Sequence, residues 1–267
     1  MKKFLQILAL GILLGSVACG SNATATPYPT ALPPTATAML VPASTPIPLY
    51  MSVKLSSLPF SEYGMDFTGD SYSITTITPF LTGNLDPRII RFNDQMSTFV
   101  KNKVDGYRPK SLYQMATPDP YANYLDIKFT QISPPGNLLS LRFTLSSYCC
   151  NAPHPDTYYY TSTYDLEVGK FLSLRELFLP GSNYLYIISD YCLMSIKTTG
   201  LVYIEEYGVK PTFDNYRNWN IAAEGILITF DRYQVSSYSA GPFFITVPYS
   251  ELQSVIDPQG PLAGYTP

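Results

Sequence analysis

The chain holds a single histidine, His154, in 267 residues. Ordinary zinc enzymes gather two or three histidines around one ion, so chemistry of that kind is excluded. A Ser/His/Asp triad would have to use His154, yet no G-x-S-x-G elbow is present. Asp66 and Asp70 lack the ligand spacing of a calcium loop. Charge is also scarce: Asp, Glu, Lys and Arg make up 14% of the residues, with a formal net charge of −3. Bases are not clustered, which excludes nucleic acid as a partner, because phosphate neutralisation needs grouped Lys and Arg. These absences leave no catalytic set, no metal site and no cofactor to assign.

Proline (24) and tyrosine (23) are abundant instead. Low charge with many tyrosines suits a secreted, β-rich protein whose aromatic side chains pack on a pleated surface. The N-terminus agrees. Met1–Lys3 is a short positive segment, and Phe4–Leu14 is an apolar run too short to span a membrane. Ser16-Val17-Ala18-Cys19 then reads as a bacterial lipobox, with Ser16 where leucine is usual. Residues 1–18 are expected to be a lipoprotein signal peptide and Cys19 the lipidated residue. An acylated Cys19 buries many CH₂ groups, each worth about 0.8 kcal/mol, and anchors the chain to the membrane on its extracytoplasmic face. Residues 19–50 are Pro/Thr-rich, and positions 20–49 carry no charged side chain. Recurrent proline favours extended polyproline II, and at about 3.1 Å per residue the tether would reach on the order of 90 Å.

Alternation and helical spacing then organise the rest. Ser71–Pro79 alternates and is β-branched, the pattern of a strand. Asp86 and Pro87 are an N-cap and first helical residue, followed by Ile89, Phe92, Met96 and Phe99 or Val100 at helical spacing, with Gly106 as the expected stop. Tyr121–Ile132 and Leu138–Cys150 flank Ser133-Pro134-Pro135-Gly136-Asn137 as a hairpin. In the second of these, Leu139, Leu141, Phe143 and Leu145 share one face, and Arg142, Thr144 and Ser146 the other. Thr157–Glu167 continues as a strand. Ser173 to Glu176 has capping-box spacing, and Asn183–Thr199 is a helix with the stripe Leu185, Ile188, Cys192 and Ile196, ended by Gly200. Residues 201–219 carry no clear pattern. Gly225–Phe230 and Phe243–Val247 are strands, with the loop Asp231–Pro242 between them, and Ser250 to Gln253 is a second capping box.

The order of these segments carries a resemblance. The histidine in Ala152-Pro153-His154-Pro155 is followed by YTSTYDLEVGKFLSLRELF, a helix, GILITFDRYQVSSYSAGP and ITVPYSEL. Together they resemble the extracellular module of the anti-sigma factor RsiV. That module occurs also in the non-catalytic part of the peptidoglycan deacetylase PdaC and in many bacterial lipoproteins. The resemblance spans residues 120–257, and residues 70–110 resemble the smaller domain that precedes it. It implies an α+β fold: an antiparallel sheet packed against helices, with a smaller N-terminal strand-helix companion domain. The expected divisions are a companion domain at 51–115, an RsiV-like domain at 116–258 and a tail at 259–267. It also implies binding in the cell envelope, with lysozyme or peptidoglycan as the ligand. Ala152-Pro153 replaces the family's glycine pair. An anti-sigma role needs a sigma-binding segment ahead of a transmembrane helix, and deacetylation needs paired histidines; neither is expected here.

Two residue classes remain. Cys149, Cys150 and Cys192 lie in an oxidising compartment once Cys19 is lipidated. Cys149 has the parity of Leu139 to Leu145, and Cys192 lies on its helix's apolar stripe, so Cys149–Cys192 is the expected disulfide, with Cys150–Cys192 and no bond as competitors. Tyr158, Tyr159 and Tyr160 are consecutive and cannot all face one side of a strand. Tyr233, Tyr238, Tyr158 and Tyr160 are the candidate ligand-binding residues, since aromatics with a polar tip suit protein interfaces and sugar faces. The reading is a surface-tethered, non-enzymatic binding or sensing module. A structural lipoprotein of a membrane complex, or a wall-glycan hydrolase using acids such as Asp156 and Asp165, are the alternatives.

Overall fold

The computed structural model describes residues 60–69, 72–82, 86–114, 123–134, 136–149 and 152–263. The expected signal peptide, Cys19, the expected tether and Cys150 lie outside the described residues. The fold is α+β. Six strands form one sheet in chain order: β1 (Phe60–Thr68), β2 (Ser73–Leu81), β3 (Tyr124–Gln131), β4 (Leu138–Tyr148), β5 (Asp156–Asp165) and β6 (Lys170–Phe171). Every neighbouring pair is antiparallel except β2 and β3. Parallel neighbours need a long crossover, and α1 (Pro87–Gln114) supplies it.

The start of α1 follows its sequence signals. An Asp86 carboxylate oxygen accepts the Arg88 N–H at 2.8 Å, and Pro87 occupies the first turn, where its missing N–H is not needed. The expected stop at Gly106 does not occur, and the helix runs on to Gln114. A helical glycine costs only about 1 kcal/mol relative to alanine. Packing on both sides of Gly106 outweighs that: Val104 is buried, and the Tyr107 hydroxyl donates to Tyr148 O on β4 at 3.1 Å.

The apolar stripe of α1 (Ile89, Phe92, Met96, Val100, Val104) covers one face of the sheet. Leu139, Leu141, Phe143 and Leu145 of β4 meet it, as alternation requires, with Ile74, Ile127 and Tyr164 from neighbouring strands. This first core runs continuously across residue 115. The strand-helix segment expected as a companion domain therefore shares its sheet with the rest through the β2–β3 pairing.

A second core joins Leu138 of β4 to residues from Leu172 onward. It packs α2 (Tyr184–Lys197) and a one-turn helix, α3 (Tyr249–Leu252), on a three-stranded antiparallel sheet of β7 (Trp219–Ile221), β8 (Gly225–Phe230) and β9 (Phe243–Pro248). The α2 stripe is Tyr184, Ile188, Cys192 and Ile196. The capping box expected from Ser250 to Gln253 does not form, because the helix begins two residues earlier, at Tyr249, with Pro248 at its cap. Tyr249 and Leu252 are buried there and hold the turn by packing. Leu262, in the expected tail, is fully buried in this same core.

The two sheets meet through polar side chains. Ser140 and Thr161 lie on the β4–β5 face turned away from α1. Asn220 Nδ2 donates to Ser140 Oγ (2.9 Å) and to Leu141 O (3.0 Å), and the Ile221 N–H donates to Ser140 Oγ at 3.0 Å. With both acceptor positions used, Ser140 Oγ must donate to Thr163 Oγ1, 2.8 Å away. The Trp219 N–H donates to Thr161 Oγ1 at 2.9 Å. Side chains of the first sheet thus satisfy backbone donors of the short strand β7, which would otherwise be buried without partners.

The expected Cys149–Cys192 disulfide is not formed. Cys192 is a buried free thiol, while Cys149 is disulfide-bonded. Strand parity explains the error. The odd-numbered β4 positions that Cys149 continues face α1 and the first core, whereas Cys192 belongs to the second.

Candidate functional site

Two loops that are far apart in sequence meet. Residues 231–242 connect β8 to β9, and residues 152–155 precede β5. The longer loop is pinned from below. Gln234 Nε2 donates to Gly208 O (3.1 Å) and Asn215 O (2.9 Å), Ser236 Oγ donates to Tyr203 O (2.9 Å), and Val235 is buried. Asp231 accepts the Tyr159 N–H at 2.9 Å, which ties the loop to β5. Burial pushes the Asp231 carboxyl above its ordinary value, against the opposing pull of that N–H and of Arg217. Gly208 has no room for a side chain, since a Cβ there would sit 1.7 Å from Gln234 O.

On this base stand the aromatics. Tyr238 stacks on His154 with ring centroids 3.8 Å apart, and its hydroxyl donates to Pro155 O at 2.9 Å. The Arg232 guanidinium lies 4.3 Å from the Tyr238 ring, within cation–π range. Tyr233 is 5.5 Å from Tyr238 and 62% exposed. Its backbone has φ 65°, and it is the one non-glycine residue with positive φ among the described residues. That conformation costs on the order of 1 kcal/mol or more. Pinning at Gln234 and Val235 enforces it and turns the Tyr233 ring outward.

The four tyrosines singled out by sequence therefore divide. Tyr233 and Tyr238 come together, and His154 and Arg232 join them. Tyr160 lies on the α1 side of the sheet, with Lys103 Nζ 3.6 Å from its ring centre and Phe99 beside it. Tyr158 is exposed (48%) at the start of β5, with the parity of Tyr160. The stacking of His154 on Tyr238 joins positions too distant for any local signal.

The carboxylates do not assemble. Asp156 and Asp165 are the two ends of the ten-residue β5, about 30 Å apart at the rise of a strand. Asp165 is a turn residue whose carboxylate accepts the N–H groups of Glu167 (2.9 Å) and Val168 (3.1 Å). At that separation Asp156 and Asp165 cannot act as a glycosidase pair.

With this geometry in view, residues 175–250 match the family model described as "Protein of unknown function (DUF3298)". The DUF3298 match covers α2, β7, β8, the 231–242 loop and all of β9, which is the heart of the second core. Two crystal structures of DUF3298 family proteins share the fold. One, from Bacteroides fragilis, aligns with a TM-score of 0.62 at 16% identity, covering 80% of this chain and 98% of its own. The other, from Pseudomonas aeruginosa PAO1, aligns at 0.56 and 11% identity, covering 75% and 95%. At such identities the likeness is one of fold. A comparison with curated proteins gave no match.

Proposed function

We propose that the chain is a surface-tethered, non-enzymatic binding or sensing module of the bacterial cell envelope. Its contact surface is the Tyr233–Tyr238–His154 cluster. The observation that carries the reading is the exposed Tyr233, held at φ 65° by a loop that is otherwise fastened down. Strain of this kind persists only where surrounding contacts impose it, and it clusters at functional positions. A rigid aromatic surface with polar tips suits a protein interface or a sugar face. The lipobox at Cys19, the proline-rich tether and the resemblance to the RsiV module support the envelope setting. They make lysozyme or peptidoglycan the ligand to test.

The test is a pull-down of lysozyme and of purified peptidoglycan with the wild type, Tyr233→Ala and Tyr238→Ala. Capture by the wild type at micromolar concentration, weakened at least about tenfold in both variants with unchanged thermal stability, is the expected result (about 1.4 kcal/mol or more). No capture of either ligand removes the ligand assignment. Capture that both variants retain moves the contact surface to Tyr158 and its neighbours. Cys19→Ala tests the anchor and should release the protein from the membrane fraction.

A further inference from the structure

A second site lies between the two sheets, distinct from the loop cluster. Arg142 projects from β4 on the face turned away from α1. Its guanidinium is 4.5 Å from the Phe244 ring centre and 5.8 Å from that of Tyr159. The two rings pack edge to face, 5.2 Å apart. Among the described residues no carboxylate is ion-paired with Arg142. Its cross-strand neighbours, Thr130 and Thr161, are uncharged. Its Nε is buried with no hydrogen-bond partner, and burial pulls its pKa below the usual arginine range.

The facing sheet adds two more unpartnered groups. Asn220 and Thr229 are almost wholly buried, and Asn220 Oδ1 and Thr229 Oγ1 have no partner. Thr229 is the register partner of Phe244, the residue that lies over Arg142. Asn220 Nδ2 bonds to Leu141 O, one residue before Arg142. Asn220 Oδ1 is an acceptor and offers an anion nothing, but an unpaired, half-buried cation with the orphaned Thr229 hydroxyl on the facing sheet is an unfavourable arrangement for folding alone, since each desolvated group needs a partner. It is a favourable one for a bound anion. Guanidinium offers a planar fork of donors that matches a carboxylate, and aromatic walls exclude competing water. Phe244 is 44% exposed, so the site is open to solvent at its rim.

We infer that Arg142, framed by Tyr159 and Phe244, is a binding site for the carboxylate of an acidic ligand, with the Thr229 hydroxyl as a second donor. The carboxylate could belong to a peptide terminus or to a sugar acid, and the test separates these sources. N-acetylglycine and glucuronate are titrated at constant ionic strength into the isotope-labelled full chain, and the Arg142 Nε–H resonance is followed. The resonance is assigned by its loss in Arg142→Lys. A saturable shift with one or both probes is expected, and the tighter probe names the source. Absence of a saturable shift with both overturns the inference.

Arg142→Met keeps the stem of the side chain and removes the charge. A buried unpaired charge replaced by an apolar group of similar length should leave the melting temperature equal or higher. The same replacement should abolish the stabilisation that saturating carboxylate gives the wild type. An Arg142→Met protein that is still stabilised by carboxylate overturns the site.

Discussion

The two cores of this protein are built by opposite means. The first is a broad sheet whose strands alternate cleanly and whose apolar face is roofed by a single long helix, α1. The second is a short sheet whose strand β7 is buried at all three of its positions. The backbone N–H groups of Trp219 and Ile221 are satisfied from outside, by Thr161 and Ser140 of the first sheet. The first core could be drawn from its own residues; the second needs the first to complete its hydrogen bonding. Both positions argued to bind ligand lie where the second core meets the first. The 231–242 loop rests on β5, and Arg142 of β4 lies under Phe244 of β9.

The sharpest way to break this comparison is to damage each core separately. Leu141 and Ile228 are fully buried, one in each core. Truncating either to alanine should remove roughly 2–5 kcal/mol and lower the melting temperature by roughly 5–15 °C. If the cores are one cooperative unit, each variant will show a single transition by calorimetry. Two separated transitions in either variant would show that the polar seam does not couple them.

A smaller effect is expected at the seam itself. Ser140→Ala leaves the Asn220 amide and the Ile221 N–H without their shared acceptor, and Thr163 without its donor. Buried groups stranded in this way cost about 1–3 kcal/mol. Ser140→Ala should therefore destabilise more than Ser146→Ala, whose hydroxyl lies on the same strand but meets only Thr157, at 3.4 Å. Equal denaturation midpoints for the two variants would reduce the seam to ordinary surface polarity.

The same contrast governs what could be read from sequence. Strands β4 and β5 and helix α1 announce themselves because one face is apolar and the other polar, so their periodicity survives in the chain. Strand β7 has no such contrast. Trp219, Asn220 and Ile221 are all buried, and the partner that tolerates Asn220 is a serine 80 residues away. Tyr233 and Tyr238 stood out as exposed aromatics, but the meeting of Tyr238 with His154 depends on how two distant loops pack. Arg142 was placed on the correct face by parity. That it lacks an acid is a property of the folded neighbourhood, and no local pattern encodes it. The cysteine pairing failed for the same reason: parity told which face Cys149 shares, and Cys192 belongs to the other core.

Acid should act with opposite sign on two carboxyls at the second core, Glu176 and Asp231. Glu176 accepts from Lys170 Nζ at 2.8 Å and from the Ser173 N–H at 2.7 Å, which together hold its carboxyl at about 2. A carboxylate whose folded pKa is depressed contributes stability above its unfolded value, near 4.5, and loses it as pH falls towards about 2. The group is partly exposed, so solvent screening keeps the contribution under about 1 kcal/mol. Asp231 is the reverse case. Burial raises its folded pKa above 3.8, so the folded state takes up a proton first and gains stability as pH falls through that raised value. Urea midpoints measured from pH 7 to pH 2 test both. Glu176→Gln should flatten the acid loss between pH 4.5 and 2, and Asp231→Asn should remove the opposing gain. Identical pH profiles for wild type and Asp231→Asn would mean that Asp231 titrates as if in water.

The smallest signal concerns Cys192 and sharpens the assignment of residues to cores. Burial drives its thiol pKa well above the usual range, and a thiol reacts through its thiolate. Iodoacetamide should therefore leave Cys192 unmodified in the native protein and label it fully in urea. Labelling at a rate that follows global unfolding would place α2 in the last part of the protein to open. Labelling in native buffer, faster than unfolding, would mean that α2 lifts away from β8 and β9 by itself. A peptide linking Cys149 to Cys192 on non-reducing mapping would go further, since it would require one side chain to cross the sheet that separates the two cores.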